Sequence, residues 1–207
     1  MFYRWLFTSL FVVMWAGWAA IWIAMARGVK QPAQSESRAS RLSHVGPLLV
    51  AAYLLAAPAP LPAPVLHGRF APLAIWPPAI GAALGFAGLA FCVWARVTIA
   101  ANWSSDVQLK RGHELIVAGP YAHVRHPIYT GLLMMFAGTA LAVGEWRAAF
   151  AVAVAAAAFW LKLRREEALM RSQFGEDAIC FARAGAHPVR GVIVSAVTAS
   201  PSPRRLR

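Results

Sequence analysis

Arg125 and His126 stand directly before Pro127 and an apolar run. Proline is favoured in the first turn of a helix, where its missing N–H costs nothing, so the pair is expected at a helix N-terminus. Free backbone N–H groups and the positive end of the helix dipole gather there beside a fixed cation. That combination binds carboxylates or phosphates. Gly119-Pro120, just upstream, reads as a turn. Tyr129 and Gly131 continue into the helix, and Gly131 permits close approach of a ligand or a neighbouring helix. Farther along, Glu166-Glu167 supply two carboxylates beside Arg164, Arg165 and Arg171. Taken alone, that pair is explained as well by a solvated helix face. His113, His123 and His126 match no zinc spacing and lack thiolate or carboxylate partners, so no metal is expected. Cys92 and Cys180 form no paired-cysteine motif, and Cys92 reads as a small buried apolar residue.

In order along the chain come His113-Glu114-Leu115-Ile116, then Gly119-Pro120-Tyr121, then Arg125-His126-Pro127-Ile128-Tyr129-Thr130-Gly131. Glu166-Glu167-Ala168-Leu169 and Phe174-Gly175 follow, and Asn102-Trp103-Ser104 precedes. This series resembles the cofactor-binding core of the isoprenylcysteine carboxyl methyltransferases and their phospholipid methyltransferase relatives. The resemblance spans roughly residues 80–181, and its specificity lies in the order and spacing of the pieces together.

The resemblance implies S-adenosylmethionine as cofactor. It implies that His113, Glu114, Leu115 and Ile116 contact it, as do Gly119 and Tyr121 of the turn, and His126, Pro127, Ile128 and Tyr129 of the next box. Glu166 matches a further cofactor-contacting acid, suited to an amino group or ribose hydroxyls. Arg125 is expected to neutralise the methionine carboxylate by a charge-assisted bond; Arg125 and Glu167 are the candidate catalytic residues. Lys162 stands where the family commonly has a substrate-facing arginine, and Trp103 is the second candidate substrate contact. The chain departs from the family pattern at Ala178 and Phe181, where tyrosines are usual. That leaves the acceptor more open than the cofactor.

These residues need a membrane scaffold to position them. Of the 207 residues, 59% are hydrophobic and 14% charged, against about 25% charged in an ordinary soluble domain. A spanning helix needs about 20 mostly apolar residues, and Phe2–Met25 meets that. The run is longer and more Trp-rich than a signal-peptide core, so it reads as a retained helix. Arg27–Ser43 reads as a loop. Leu42–Leu66 is a short span whose second half, Pro58 to Pro64, cannot be regular helix. Leu73–Ala100 spans with Pro77 and Pro78 tolerated in its first turns. Asn102–Arg125 is the polar motif segment. Pro127–Val143 and Trp146–Leu163 form a hairpin across Gly144-Glu145, and Lys162–Arg207 is a basic tail that begins as helix emerging into water. The expected fold is therefore an all-α polytopic membrane bundle of about five transmembrane helices with a cytoplasmic cofactor pocket. Residues 1–72 would hold the N-terminal helices, 73–190 the methyltransferase-like core, and 191–207 a disordered basic tail.

The net charge of +12 is unevenly spread: segments 27–44, 101–127 and 162–207 carry 4, 3 and 9 Lys/Arg. Positive charge favours the cytoplasmic side, which places the motif segment and the tail on one face and the N-terminus outside. A basic membrane protein contacts anionic lipid. Nucleic acid is the poorer partner, because no polar domain presents a basic face. The Ala- and Arg-rich composition is that of a high-GC bacterium, which implies an inner-membrane enzyme with its site in the cytoplasm. The methyl acceptor is left among a prenylated cysteine carboxylate, a phospholipid amine and a small thiol, all lipidic or small hydrophobic compounds. Two other functions remain open. Membrane sterol reductases carry a similar Arg-His-Pro-x-Tyr segment and use NADPH, although they are longer. A noncatalytic membrane protein could also retain the fold.

Overall fold

The computed structural model describes residues 2–26, 38–56, 63–99 and 118–184, and the side chains of 5–26, 42–56, 63–99 and 118–168. Among the described residues there are five α-helices: α1 Phe2–Ala26, α2 Arg38–Ala56, α3 Trp76–Ile99, α4 Pro127–Val143 and α5 Trp146–Ala184. No strand occurs among the described residues; Arg69 and Glu145 form one isolated antiparallel bridge. The molecule is a helical membrane bundle. Trp5–Ala26, Trp76–Ile99 and Trp146–Ala168 are long and apolar enough to cross a membrane. Leu42–Ala56 and Pro127–Val143 are shorter apolar helices, below the length of about 20 residues that a bilayer core requires without thinning or snorkelling.

Two boundaries differ from the sequence expectation. Helix α2 starts at Arg38, inside the stretch expected as loop, and runs through Pro47 without ending. In a bundle, neighbouring helices can compensate for the hydrogen bond a proline removes. Helix α5 continues past Leu163, as the expected helical start of the tail requires, but runs on beyond Glu167 to Ala184, because its Lys, Arg, Glu, Ala and Met are all good helix formers.

Helices α3 and α4 pack antiparallel through glycines. A Cβ added at Gly81 would collide with the Gly138 carbonyl, and one at Gly131 would come 2.6 Å from Cys92 Sγ and from the Gly88 carbonyl. Backbone meets backbone there. Where lipid tails are as apolar as the side chains, such close approach supplies the packing energy.

Neighbours along the chain run in opposite directions. Met14 of α1 lies against Gly85 and Arg96 reaches Met25, so α1 is parallel to α3. Ser43 and Leu54 of α2 meet Arg165 and Arg147 of α5, so those helices are antiparallel. The ends of α1 and α3, the starts of α2 and α4, and the Lys162–Ala168 part of α5 therefore lie at one end of the bundle.

The opposite end is closed by polar bonds. Gly144 ends α4 in the left-handed region, φ 69°, and donates to Ala140 O at 2.8 Å. That is a glycine helix stop. Arg147 Nη1 donates to the Leu54 and Leu55 carbonyls at 2.6 and 3.1 Å, filling acceptors left free at the end of α2. Its Nε meets Glu145 Oε2 at 2.7 Å, and His67 Nδ1 lies 3.4 Å from the same oxygen. Between the two ends, Met14, Ala51, Cys92, Met135, Ala151 and Ala155 are fully buried. Trp15 donates from Nε1 to Thr139 Oγ1 at 3.2 Å and meets the Phe136 ring edge-on at 5.1 Å.

Candidate functional site at the α3–α4–α5 end

The site is built where α4 begins. His126 precedes the helix in a non-helical conformation, φ −128° and ψ 64°, and Pro127 occupies the first turn. This agrees with the reading of Arg125-His126-Pro127 as a helix entry. Thr130 N donates to His126 O at 3.0 Å and closes the first turn. Cys92 Sγ lies 3.3 Å from Ile128 O, which fixes this turn against α3.

From that entry, three aromatic rings stack inward. His126 lies over Tyr129 with centroids 5.8 Å apart and planes 15° apart, and Tyr129 lies over Phe159 of α5 at 5.2 Å and 17°. Lys162 Nζ sits 5.8 Å from the Tyr129 centroid, within range of a cation–π attraction. Phe159, Lys162 and Glu166 are spaced three and four apart, so one face of α5 presents them together. Tyr129 donates from its hydroxyl to Glu166 Oε1 at 2.7 Å. His126 Nε2 lies 3.7 Å from Glu167 Oε1, with both side chains about a quarter exposed. That separation is too long for a strong hydrogen bond, so the pair is an electrostatic one. Burial pulls His126 below its ordinary value and the Arg125 charge adds to this; Glu167 opposes both. The imidazole is therefore neutral at pH 7.

Before α4, Gly119–Ala122 forms one 3₁₀ turn entered from extended Ala118. Gly119 takes φ 57°, a conformation suited to glycine. A Cβ there would meet Thr98 Oγ1 at 3.0 Å and Trp94 Nε1 at 3.4 Å, so the turn is seated on the last turn of α3. Pro120 is buried beneath it. Tyr121 is half-buried, and burial pushes its phenol well above the ordinary range; Arg96 opposes that shift while Cys92 and Glu166 add to it. Tyr121 therefore stays protonated, within electrostatic reach of the same Glu166 that Tyr129 binds.

Gly119, Tyr121, His126, Pro127, Ile128, Tyr129, Lys162, Glu166 and Glu167 thus gather at one end of the bundle. Arg125 is beside them but exposed, while Pro127 is buried and Ile128 half-buried. Trp103, His113, Glu114, Leu115 and Ile116 lie outside the described residues, as do the side chains of Ala178 and Phe181. Among the described residues, no three His, Cys, Asp or Glu side chains are grouped as a metal site. Sequence reasoning missed Phe159 and Arg96. Phe159 had a signal in its three- and four-residue spacing to Lys162 and Glu166. Arg96 had one as the only charge in the apolar run 73–100, since ionisable residues inside spans are rare and usually functional.

Residues 82–172, a little under half of the chain, match the model of the isoprenylcysteine carboxyl methyltransferase (ICMT) family. No curated protein matches the chain in a sequence search.

Proposed function

We propose that this chain, which matches the isoprenylcysteine carboxyl methyltransferase family over residues 82–172, moves a methyl group from S-adenosylmethionine to a lipidic or small hydrophobic acceptor at the membrane surface. A membrane methyltransferase is what the family implies; the donor and the acceptor class are our reading. The observation that carries it is the convergence of residues from α4 and α5, far apart in sequence. Tyr129 and Glu166 share a 2.7 Å hydrogen bond, with His126 stacked beside Tyr129 and Glu167 beside His126.

The residues fit the chemistry of the cofactor. A flat aromatic stack suits an adenine ring, and electron-rich ring faces attract a sulfonium cation. Glu166 is a carboxylate acceptor suited to ribose hydroxyls or an ammonium group. Arg125, exposed at the α4 entry, is suited to the methionine carboxylate. Tyr121, kept protonated by burial, can donate a hydrogen bond. Along the matched motif, His113, Glu114, Leu115 and Ile116 complete the proposed cofactor contacts, together with Gly119, Pro127 and Ile128. Lys162 and Trp103 are the proposed acceptor contacts.

When bound, S-adenosylmethionine supplies an already activated methyl group. The work left to the chain is to position the acceptor in line and to exclude water. Arg125 and Glu167 are proposed to hold charge at the reacting end. A carboxylate or thiolate acceptor needs no general base. The proposed setting is a bacterial inner membrane with this end cytoplasmic, where the cofactor is available and a lipidic acceptor can enter between helices.

Equilibrium binding to the purified protein tests the reading. We expect S-adenosylmethionine to bind below millimolar concentration. Tyr129→Phe releases Glu166 from the 2.7 Å bond that orients it and should weaken binding about tenfold, about 1.4 kcal/mol. Arg125→Ala should weaken it as well. Membranes incubated with methyl-labelled cofactor should yield a labelled lipid-extractable product, base-labile if the product is an ester. Absence of binding at millimolar cofactor would overturn the proposal, and tight NADPH binding in its place would turn the assignment to a reductase.

A further inference from the structure

Arg96 lies three residues before the end of α3 and, among the described residues, is the largest fully buried side chain, at 1% exposure. A guanidinium always carries its charge and is costly to remove from water unless it is bonded. Its Nη2 donates to Met25 O at 2.7 Å. Met25 is in the last turn of α1, where carbonyls have no partner within the helix and the dipole is negative. Arg96 therefore ties the ends of two parallel helices together.

The same α3 end carries the Gly119–Ala122 turn: Gly119 rests on Trp94 and Thr98, two residues to either side of Arg96. Residues 82–172 carry the family match, so α1 lies outside it. One buried cation thus bonds a helix outside that segment to the α3 end on which a turn inside it rests.

We propose that Arg96 is a positioning residue: it couples the C-terminal end of α1 to the Gly119–Ala122 turn, so that α1 helps to hold Tyr121 at the cofactor site. Met25 contributes only a carbonyl to this link, so it places no demand on side-chain identity at that position. What it demands is a helix end at that height in the bundle. The guanidinium bond then fixes the α3 end on which the turn rests. The inference rests on the proposed use of S-adenosylmethionine at this end of the bundle.

The test is a double-mutant cycle on the purified full chain. Arg96→Gln removes the charge and is too short to hold the Met25 carbonyl, and Tyr121→Phe removes the phenol hydroxyl. Each single variant should bind S-adenosylmethionine about tenfold more weakly, and the double variant no more than about twofold worse than the weaker single, because the two act through one link. Melting temperatures report that the variants are folded; if Arg96→Gln does not fold, Arg96→Met takes its place with the same readings, since it lacks both the charge and the donor. Wild-type affinity in the Arg96 variant, or losses that multiply, would overturn the coupling while leaving the methyltransferase reading intact. Should the wild type bind no S-adenosylmethionine, the functional reading fails, and the coupling is decided by hydrogen exchange of the free protein. In that measurement Arg96→Gln should loosen residues 22–26 and 118–123 together, and loosening of only one of these segments would overturn it.

Discussion

His126 is the residue whose charge state is most informative. Burial lowers its proton affinity first and the neighbouring Arg125 charge helps, while Glu167 opposes both. A histidine with a depressed folded value is protonated more readily in the unfolded chain. Stability from this site is therefore fully present above the ordinary histidine value and is lost as pH falls toward the folded one. We expect an NMR titration of His126 with a midpoint below the ordinary value of about 6.5. Glu167→Gln should move that midpoint further down, because it removes the one group that favours the imidazolium. A midpoint that rose in the variant would mean that Glu167 does not face the imidazole in solution. The stack of His126, Tyr129 and Phe159 explains why the ring is buried enough for this. Tyr129 lies against one face of His126 and Phe159 against Tyr129, and the Nε2 edge of His126 is the one 3.7 Å from Glu167.

At the scale of elements, two junctions hold the site in register. The first is the glycine contact of α3 and α4. Gly138→Ala would drive a methyl into the Gly81 carbonyl and to 2.8 Å from Gly85 N. Neither is a flexible side chain, so the helices must part. Overpacking costs about 1–3 kcal/mol, and a lower melting temperature is expected together with weaker cofactor binding, since the parted helices carry Gly119's seat and Tyr129. A conservative control is Thr8→Ser on α1. The second junction is the closed end. Arg147→Met would leave the Leu54 and Leu55 carbonyls without their donor, at a cost of about 2 kcal/mol, which corresponds to roughly 4–8 °C in melting temperature for a chain of this size. Burial alone would raise Glu145, but the bonds and charges of Arg147 and then His67 outweigh it and hold the carboxyl below the usual range. A depressed folded value means stabilisation present above the ordinary glutamate value and lost as pH falls through the folded one. Wild type should therefore lose melting temperature on acidification through that window, and Glu145→Gln should be flatter there.

At the scale of the molecule, alternation of the five helices puts the hydrogen-bonded turn at 144–145 and the candidate site at opposite ends. Around that turn Val65, Leu73, Ile75, Trp76 and Trp146 are all exposed, an apolar collar that suits contact with lipid at the membrane interface. At the other end Arg165 bonds Ser43, and Arg164 lies over the Trp160 ring at 4.8 Å. Basic side chains favour the cytoplasmic side. With Cys92 and Cys180 replaced by alanine, an impermeant thiol reagent should label Val65→Cys in intact cells. It should label Arg164→Cys only after the membrane is opened. The reverse pattern would invert the proposed orientation and place the site away from the cytoplasmic cofactor supply.

The sequence by itself determined the class of structure and the pieces of the candidate site. Apolar runs separated by basic segments specify helices in lipid, because the bilayer leaves backbone polar groups no other economical arrangement. Proline after Arg125-His126 specified the start of α4, and Gly144 specified its end. The boundaries of α2 and α5 were not legible, since charged residues continue a helix as readily as they leave one. Tertiary structure alone decided which face each helix turns toward its neighbours. An all-apolar helix carries no amphipathic stripe to announce its packing side; here glycine contacts and a few buried polar bonds decide it. Phe159 had its spacing and Arg96 its lone charge as sequence signals, but only packing set one beneath Tyr129 and the other against the end of α1. Tyr129 and Glu166, 37 residues apart, meet because a two-residue turn folds α5 back along α4. No local feature of either residue specifies that distance.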